Sequence, residues 1–224
     1  MKGVIIAGGD GRRLRPMTLV INKQLLPIYD KPMILYPLKT LSDMGIKDVL
    51  IISSGEQMGA FIQFLKDGAD YGVNITYKVQ RQPLGIAHAV SLAEDFVDEH
   101  FAVILGDNVY GIAPNVPSGC GIVVKDTDEP KRFGIYHNGR IEEKPQFPKS
   151  NKAVTGLYFY TREIFDFIRT LKPSARGELE ITDVNNFCLE NLLTEVIEYK
   201  DFWADAGTPD SLLAISNIIK NEKR

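Results

Sequence analysis

Short runs of branched apolar residues alternate with longer stretches whose apolar positions recur at helical spacing. Residues 4–7 predict a buried strand that ends at Gly8-Gly9. Residues 33–44 carry Leu35, Leu38 and Leu41 at a three-residue step and stop before Gly45, which predicts a helix. A strand over 48–53, a helix over 57–65, a strand over 74–79, a helix over 85–96 and a strand over 101–105 follow. The last of these ends at Gly106-Asp107-Asn108. Beyond it the pattern turns richer in strands, at 121–124, 134–137, 153–160 and 195–199. Helices are predicted over 162–171 and 180–192, and a final one starts at Thr208 with Pro209 in the favoured first position. Strand and helix in alternation predict an α/β fold, with a single mixed, mainly parallel sheet covered by helices on both faces in a Rossmann-like arrangement. There is no Pro/Gly/Ser linker, internal repeat or low-complexity segment, so residues 1–224 are expected to form one domain.

Composition narrows the class. With 44% hydrophobic residues among 224, the chain can bury one large core. A net charge of −3 excludes a broad basic field for nucleic acid, so any polyanion site must be local. No apolar run approaches the roughly 20 residues of a membrane span, and the run before Gly8 is short for a secretory signal. Cys120 and Cys188 stand alone in sequence and make neither a disulfide framework nor a zinc site; buried thiols are expected. A cytoplasmic protein working on small molecules is predicted, with neither nucleic acid nor membrane as a partner.

The stretch Gly8-Gly9-Asp10-Gly11-Arg12-Arg13-Leu14-Arg15-Pro16 directly follows the first strand. Glycines let a backbone approach a ligand and offer it N–H groups, and arginines supply forked donors for phosphate oxygens. Lys23 is near enough in sequence to return to the same anion. The stretch is neither GxxxxGK[ST] nor GxGxxG, because Leu14 stands where a third glycine would be. On these residues alone, a phosphate cradle and a plain turn with solvated arginines are equally good readings.

Three blocks then follow one another: Ala7-Gly8-Gly9-x-Gly11-x-Arg13-Leu14-x-Pro16-x-Thr18, Asn22-Lys23-Gln24-Leu25-Leu26-Pro27 and Asp30-Lys31-Pro32-Met33-Ile34. Further on come Leu105-Gly106-Asp107-Asn108, Glu142-Glu143-Lys144-Pro145, Val154-Thr155-Gly156-Leu157-Tyr158, Gly177-Glu178-Leu179-Glu180-Ile181-Thr182-Asp183 and Trp203-x-Asp205-x-Gly207-Thr208. In order and nearly end to end, these blocks resemble the signature of the sugar nucleotidyltransferases, and among them the branch that joins dTTP to glucose 1-phosphate. The resemblance implies a magnesium-dependent single displacement that gives dTDP-glucose and pyrophosphate, in a homo-oligomer. It implies a nucleotide-binding half over about 1–110 and a sugar-phosphate-binding half over about 111–224.

What the resemblance implies for residues is specific. Arg13, Lys23, Asp107 and Lys144 would be the catalytic set. Gly8, Gly9, Gly11, Arg13, Lys23 and Gln24 would hold the nucleotide, with Gln80 and Gly85 on the edge of the base. Asn108, Gly134, Glu143, Lys144, Thr155 and Gly156 would hold the sugar phosphate. Asp107 and Asp205 would bind Mg²⁺. Asp107 also ends a strand where open α/β sheets place their ligands. Asp205 lies about a hundred positions further on, and only the resemblance pairs the two. The attacking phosphate oxygen is already ionised at pH 7, so the chemistry needs no general base and is dominated by charge neutralisation and positioning. His100 and His137 accordingly read as structural or surface residues. His88 lies in the base segment, where relatives often carry Gln. Glu178 and Asp183 read equally well as ligand contacts and as helix-start residues.

Three departures from the family pattern stand out. Arg12 replaces the usual Thr, so Arg12→Thr is expected to raise the KM for the nucleotide more than that for the sugar phosphate. Residues 108–142 are shorter than in relatives, with a Pro/Gly-rich piece in place of a helix. The chain also ends soon after the final helix, where longer relatives build an effector site between subunits. Thymine differs from uracil by one methyl, worth roughly 1 kcal/mol of burial, so some use of UTP is expected. Nucleotidyltransferases that use UTP or CTP, or another hexose 1-phosphate, are the alternative within this class. A silent nucleotide-binding subunit would be expected to lose Arg13, Lys23, Asp107 or Lys144, and all four are present.

Overall fold

The computed structural model describes residues 1–222. Strand β1 (Lys2–Ile6) opens the chain, with Val4 and Ile6 turned to one core and Ile5 and Ala7 to the other. A strand apolar on both faces belongs in the middle of a covered sheet, and β1 lies there. Three single 3-10 turns, over Arg12–Leu14, Met17–Leu19 and Lys23–Leu25, lead from β1 into a small ribbon of β2 (Pro27–Ile28) and β3 (Lys31–Pro32). Helix α1 (Leu35–Asp43), β4 (Asp48–Ser54), α2 (Gly55–Leu65), β5 (Asn74–Gln80), α3 (Ile86–Ser91) and β6 (His100–Leu105) complete the first half. Strands β6, β1, β4 and β5 are neighbours in that order and all parallel.

The second half adds β7 (Asn108–Tyr110), β8 (Cys120–Asp126), β9 (Gly134–His137), β10 (Arg140–Glu143) and β11 (Lys152–Thr161). After these come α4 (Glu163–Ile168), α5 (Ile181–Asn191), β12 (Thr194–Glu198), β13 (Trp203–Asp205) and α6 (Pro209–Glu222). The ten-residue β11 joins the halves: it runs antiparallel to β6 on one edge and to β8 on the other. Its register against β8 shifts between Val154 and Tyr158. Such a shift bends a strand and re-aims its side chains, and this one falls at Thr155 and Gly156. With β12 parallel to β8 and the β9–β10 hairpin beyond β11, the main sheet reaches nine strands.

Helices cover both faces, as the alternation predicts. Ala87 of α3, Ile164 of α4 and Val184 of α5 pack with Val4 and Val103. On the other face Leu38 of α1 and Phe61 of α2 pack with Ile5 and Ile104. Ile215 of α6 joins a third cluster with Ile28, Val109 and Ala206.

The predicted helix over 85–96 is shorter than expected. Regular α-helix ends at Ser91, and the chain continues in tighter turns such as Ala93 N–H to Val90 O and Phe96 N–H to Ala93 O. Just beyond, the Arg162 guanidinium donates to the carbonyls of Glu94 and Val97. Residues 111–119 contain no helix, in keeping with their Pro/Gly-rich sequence. Cys120 and Cys188 are free and buried.

Candidate active site

A cleft of about 470 Å³ opens at the C-terminal ends of β1 and β6. Its position follows from topology. Parallel strands deliver their following loops to one edge, and there Gly8 follows β1 and Asp107 follows β6.

The short ribbon of β7 and β13 explains how two distant aspartates meet. Asp205 pairs with Asn108 across this ribbon, and the Ala206 N–H donates to the Asp107 carbonyl at 2.9 Å. Both carboxylates line the cleft. Asp107 is 7% exposed, and the Lys23 ammonium donates to its Oδ2. Burial alone would raise its pKa, but the Lys23 charge and hydrogen bond prevail and hold it below the usual carboxylate range. Asp205 moves the other way, pushed up to about 6 by burial and by the negative charge of Asp107. Arg13, at 3.9 Å, and Arg132, at 3.4 Å, pull against that shift from the Asp205 Oδ2 side. Gly207 makes room for this arrangement, because a Cβ there would lie 2.6 Å from the Arg13 Nη2. Two carboxylates balanced by three cations suit a hard divalent ion that takes its remaining ligands from phosphate and water. Among the described residues no cluster of three or more protein ligands exists, so an all-protein cage of the calcium or zinc kind does not fit.

Asn108 is 3% exposed and works as a bracket. Its Nδ2 donates to Asp107 Oδ1 at 3.2 Å, and its Oδ1 accepts from the Trp203 indole at 2.6 Å. The Trp203 ring packs edge-on against Phe133, over which the Arg132 guanidinium lies 5.3 Å from the centroid.

On the opposite wall, the Glu143 Oε2 accepts from the Thr182 hydroxyl at 2.6 Å, and Oε1 lies 3.1 Å from the Lys144 ammonium. Lys144 has φ 45°, and its N–H is fixed by the Phe133 carbonyl at 3.1 Å. Arg176 also approaches Glu143 Oε1, at 3.6 Å.

Measured against the sequence reading, Gly8, Arg13, Lys23 and Gln24 line the cleft on the β1 side. So do Gly134, Glu143, Lys144, Thr155 and Gly156 on the side of β9 to β11, and Asn108 at the start of β7. Gln24 carries a buried Oε1 with no protein donor, among the few such atoms in the described residues. Gln80 is 9% exposed at the end of β5, with Gly85 at the start of α3; neither lines the cleft, although a Cβ on Gly8 would stand 3.2 Å from the Gln80 Oε1. Gly9 and Gly11 shape the loop with left-handed backbone and do not line the cleft.

Two expectations change. The Thr155 hydroxyl is fully buried, accepts from the Tyr110 hydroxyl at 2.7 Å and donates to the Val123 carbonyl at 3.0 Å. Its side chain is therefore committed to the scaffold. Arg12 turns from the cleft to Asp10, 3.1 Å away, with 79% of its side chain exposed. Glu178 and Asp183 do not line the cleft either; Glu178 faces Arg176 at 3.8 Å. The sequence reading missed Arg132 and Phe133, which belong to no motif block. Their only signal is their place just before Gly134. Thr182 lay inside a quoted block without a role.

An α/β sheet with cations and paired carboxylates gathered at its strand ends defines a protein built to receive phosphate-bearing ligands. The profile of the nucleotidyl transferase family matches residues 2–222, and the chain belongs to that family. It is 42% identical to a glucose-1-phosphate thymidylyltransferase of Neisseria meningitidis, over 98% of this chain and 83% of the relative. It is equally identical to one of Mycobacterium tuberculosis, over 100% of this chain and 84% of that protein. Among solved structures, a Bacillus anthracis protein described as a glucose-1-phosphate thymidylyltransferase in complex with sucrose superposes with TM-score 0.91 at 42% identity. That match covers 99% of this chain and 96% of the other. A UDP-glucose pyrophosphorylase at 24% identity shares the fold, with TM-score 0.85.

Proposed function

We propose that this chain transfers the nucleotidyl group of dTTP to glucose 1-phosphate, giving dTDP-glucose and pyrophosphate with Mg²⁺ as cofactor. The observation that carries the reading is the convergence of Arg13, Lys23 and Lys144 with Asp107 and Asp205 around one cleft. Relatives named for this reaction match nearly the whole chain.

The problem in this reaction is repulsion between two anions. Arg13 and Lys23, beside the Gly-rich loop, neutralise the triphosphate, and Gln24 offers its unpaired Oε1 to a donor of the nucleotide. Lys144 meets the sugar phosphate, and Glu143 accepts from hexose hydroxyls. Asn108, held by Trp203, keeps Asp107 aimed. Asp107 and Asp205 would hold the Mg²⁺, which would supply neutralisation of phosphate charge. The incoming phosphate oxygen attacks the α-phosphorus, the bond to the β-phosphate bridging oxygen breaks, and pyrophosphate leaves. No side chain becomes covalently attached. The nucleotide falls to the half over about 1–110 and the sugar phosphate to the remainder, within one domain. A cytoplasmic homo-oligomer completes the reading. Two free buried thiols are in keeping with a reducing compartment.

Pyrophosphate release, measured with each nucleoside triphosphate against several hexose 1-phosphates and with and without Mg²⁺, tests the proposal. Metal-dependent turnover highest with dTTP and glucose 1-phosphate is expected, and Asp107→Asn should lose it while staying folded. Near-parental turnover in Asp107→Asn would remove that carboxylate from the mechanism.

A further inference from the structure

Among the described residues, four cations and three carboxylates line the cleft, and Arg132 is the cation to which nucleotidyl transfer as read above gives no task. Its guanidinium is held at two ends with unequal grip. Nη1 donates in a close bond to Glu129, three residues back in the chain, while Nη2 reaches the Asp205 Oδ2 at 3.4 Å. A charge-assisted N–H···O bond at full strength is about 2.7–2.9 Å long, so the contact with Asp205 is the loose one. Arg13 stands 3.9 Å from the same oxygen. Two guanidinium groups thus share one carboxylate oxygen, and neither grips it closely. The Phe133 ring lies against the Arg132 guanidinium, 5.3 Å from centroid to Cζ. Glu129 and Phe133 therefore keep this charge at the cleft independently of Asp205. The same segment reaches the other wall: the Phe133 carbonyl accepts the Lys144 N–H at 3.1 Å, and Gly134 lines the cleft.

We propose, resting on the reading of this cleft as a nucleotidyl-transfer site, that Arg132 is an exchanging cation: it neutralises Asp205 before a divalent ion binds, and contacts the phosphate of the hexose 1-phosphate once that carboxylate is committed to the ion. Glu129 is the positioning residue that retains it through the exchange. The electrostatics run in this direction. A divalent ion at Asp205 repels a neighbouring guanidinium and takes the lone pairs it used. An incoming phosphate offers three acceptor oxygens and a geometry that matches the guanidinium fork. A fork also suits a group that changes one partner and keeps the other, because one nitrogen can stay on Glu129 while the second moves; an ammonium is a point charge and must choose. The link from Phe133 to Lys144 places the turn beside the cation already assigned to the sugar phosphate, which is why that phosphate, and not the triphosphate, is the expected second partner.

Titration of the full chain with Mn²⁺, followed by electron paramagnetic resonance, and steady-state kinetics test the two halves separately. Arg132→Met keeps an apolar stem against Phe133 and loses the charge. Without substrates it should bind Mn²⁺ about three- to tenfold more tightly than the parent, because one competing cation is gone. Its KM for glucose 1-phosphate should rise about tenfold or more, the worth of a charge-assisted hydrogen bond, with the KM for dTTP within about twofold. Arg132→Lys keeps a charge without the fork, so Mn²⁺ affinity should stay near parental while the KM for glucose 1-phosphate recovers only in part. Glu129→Gln should raise that KM in the parent background and leave it unchanged in Arg132→Met, since Glu129 acts through the guanidinium. Mn²⁺ affinity that is unchanged or weaker in Arg132→Met overturns the exchange, and so does a rise in KM confined to dTTP or no rise at all. A parent without nucleotidyl transfer overturns the function on which the proposal rests; the Mn²⁺ titration needs no turnover and keeps the two failures apart.

Discussion

Lys23 and Asp107 form a pair whose removal has calculable consequences. Their side chains are 16% and 10% exposed, and the ammonium donates directly to the carboxylate. Lys23→Met keeps most of the apolar stem and removes the charge. Asp107 is then left buried with only the Asn108 amide as a neutral side-chain donor, while Asp205 repels it from the ribbon. Breaking one partner of a buried pair costs about 3–5 kcal/mol, because the surviving charge has lost its water and gained nothing in return. In a domain of this size that lowers Tm by on the order of 10 °C. Removing both charges, as in Lys23→Met with Asp107→Leu, should recover much of the loss, since paired removal leaves no orphan. Mg²⁺ supplies a second diagnosis. A divalent ion at the two carboxylates replaces the missing cation, so saturating Mg²⁺ should restore up to about 3 kcal/mol at a hundredfold excess over its Kd. Urea unfolding of parent, single and double variants, with and without the ion, measures all of this. A single variant within 1 kcal/mol of the parent, or a double variant as unstable as the sum of the singles, would refute the coupled, desolvated pair.

Three further outcomes follow from the geometry. Asp205, raised to about 6, is neutral below that pH and charged above it, so affinity for a divalent probe such as Mn²⁺ should fall about tenfold per pH unit below 6. A binding isotherm unchanged between pH 5 and pH 7 contradicts this. Thr155→Val removes a bond at each side of the hydroxyl and should cost roughly 1–3 kcal/mol in urea unfolding with the KM for glucose 1-phosphate unaltered. A changed KM at unchanged stability would return the hydroxyl to the sugar. Arg12→Thr should shift both KM values by no more than about twofold, as for an exposed side chain away from the cleft. A selective rise in nucleotide KM would show that Arg12 swings from Asp10 to the triphosphate.

The main elements were legible wherever periodicity was strong and the strand was buried on both faces, as in β1, β4 and β6. They were harder to read where tertiary contacts decide. The ribbon of β7 and β13 is three residues on each side and carries no alternation to detect. It forms because Trp203 reaches Asn108 and Ala206 reaches the Asp107 backbone. The turns after α3 are tied down by Arg162, which lies far along the chain and donates to the carbonyls of Glu94 and Val97. No local pattern encodes either event.

The site divides along the same line. A motif preserves residue identity and order, so the resemblance could nominate Arg13, Lys23, Asp107, Lys144 and Asp205, and the fold lines one cleft with all five. A motif does not record where a side chain spends its hydrogen bonds. Thr155 sits in the cleft wall, yet its hydroxyl belongs to Tyr110 and Val123. Asn108 sits beside the sugar wall, yet both ends of its amide are taken by Asp107 and Trp203. Arg132 shows the converse: unremarked in sequence, it comes closer to Asp205 than Arg13 does, at 3.4 Å against 3.9 Å, from a turn over Pro130–Arg132 that ends beside Phe133 and Trp203. The two guanidinium groups stand at Asp205, as the Lys23 ammonium stands at Asp107, so a divalent ion held between these carboxylates would compete with cations already there, and a cation it displaced would be free to meet a phosphate.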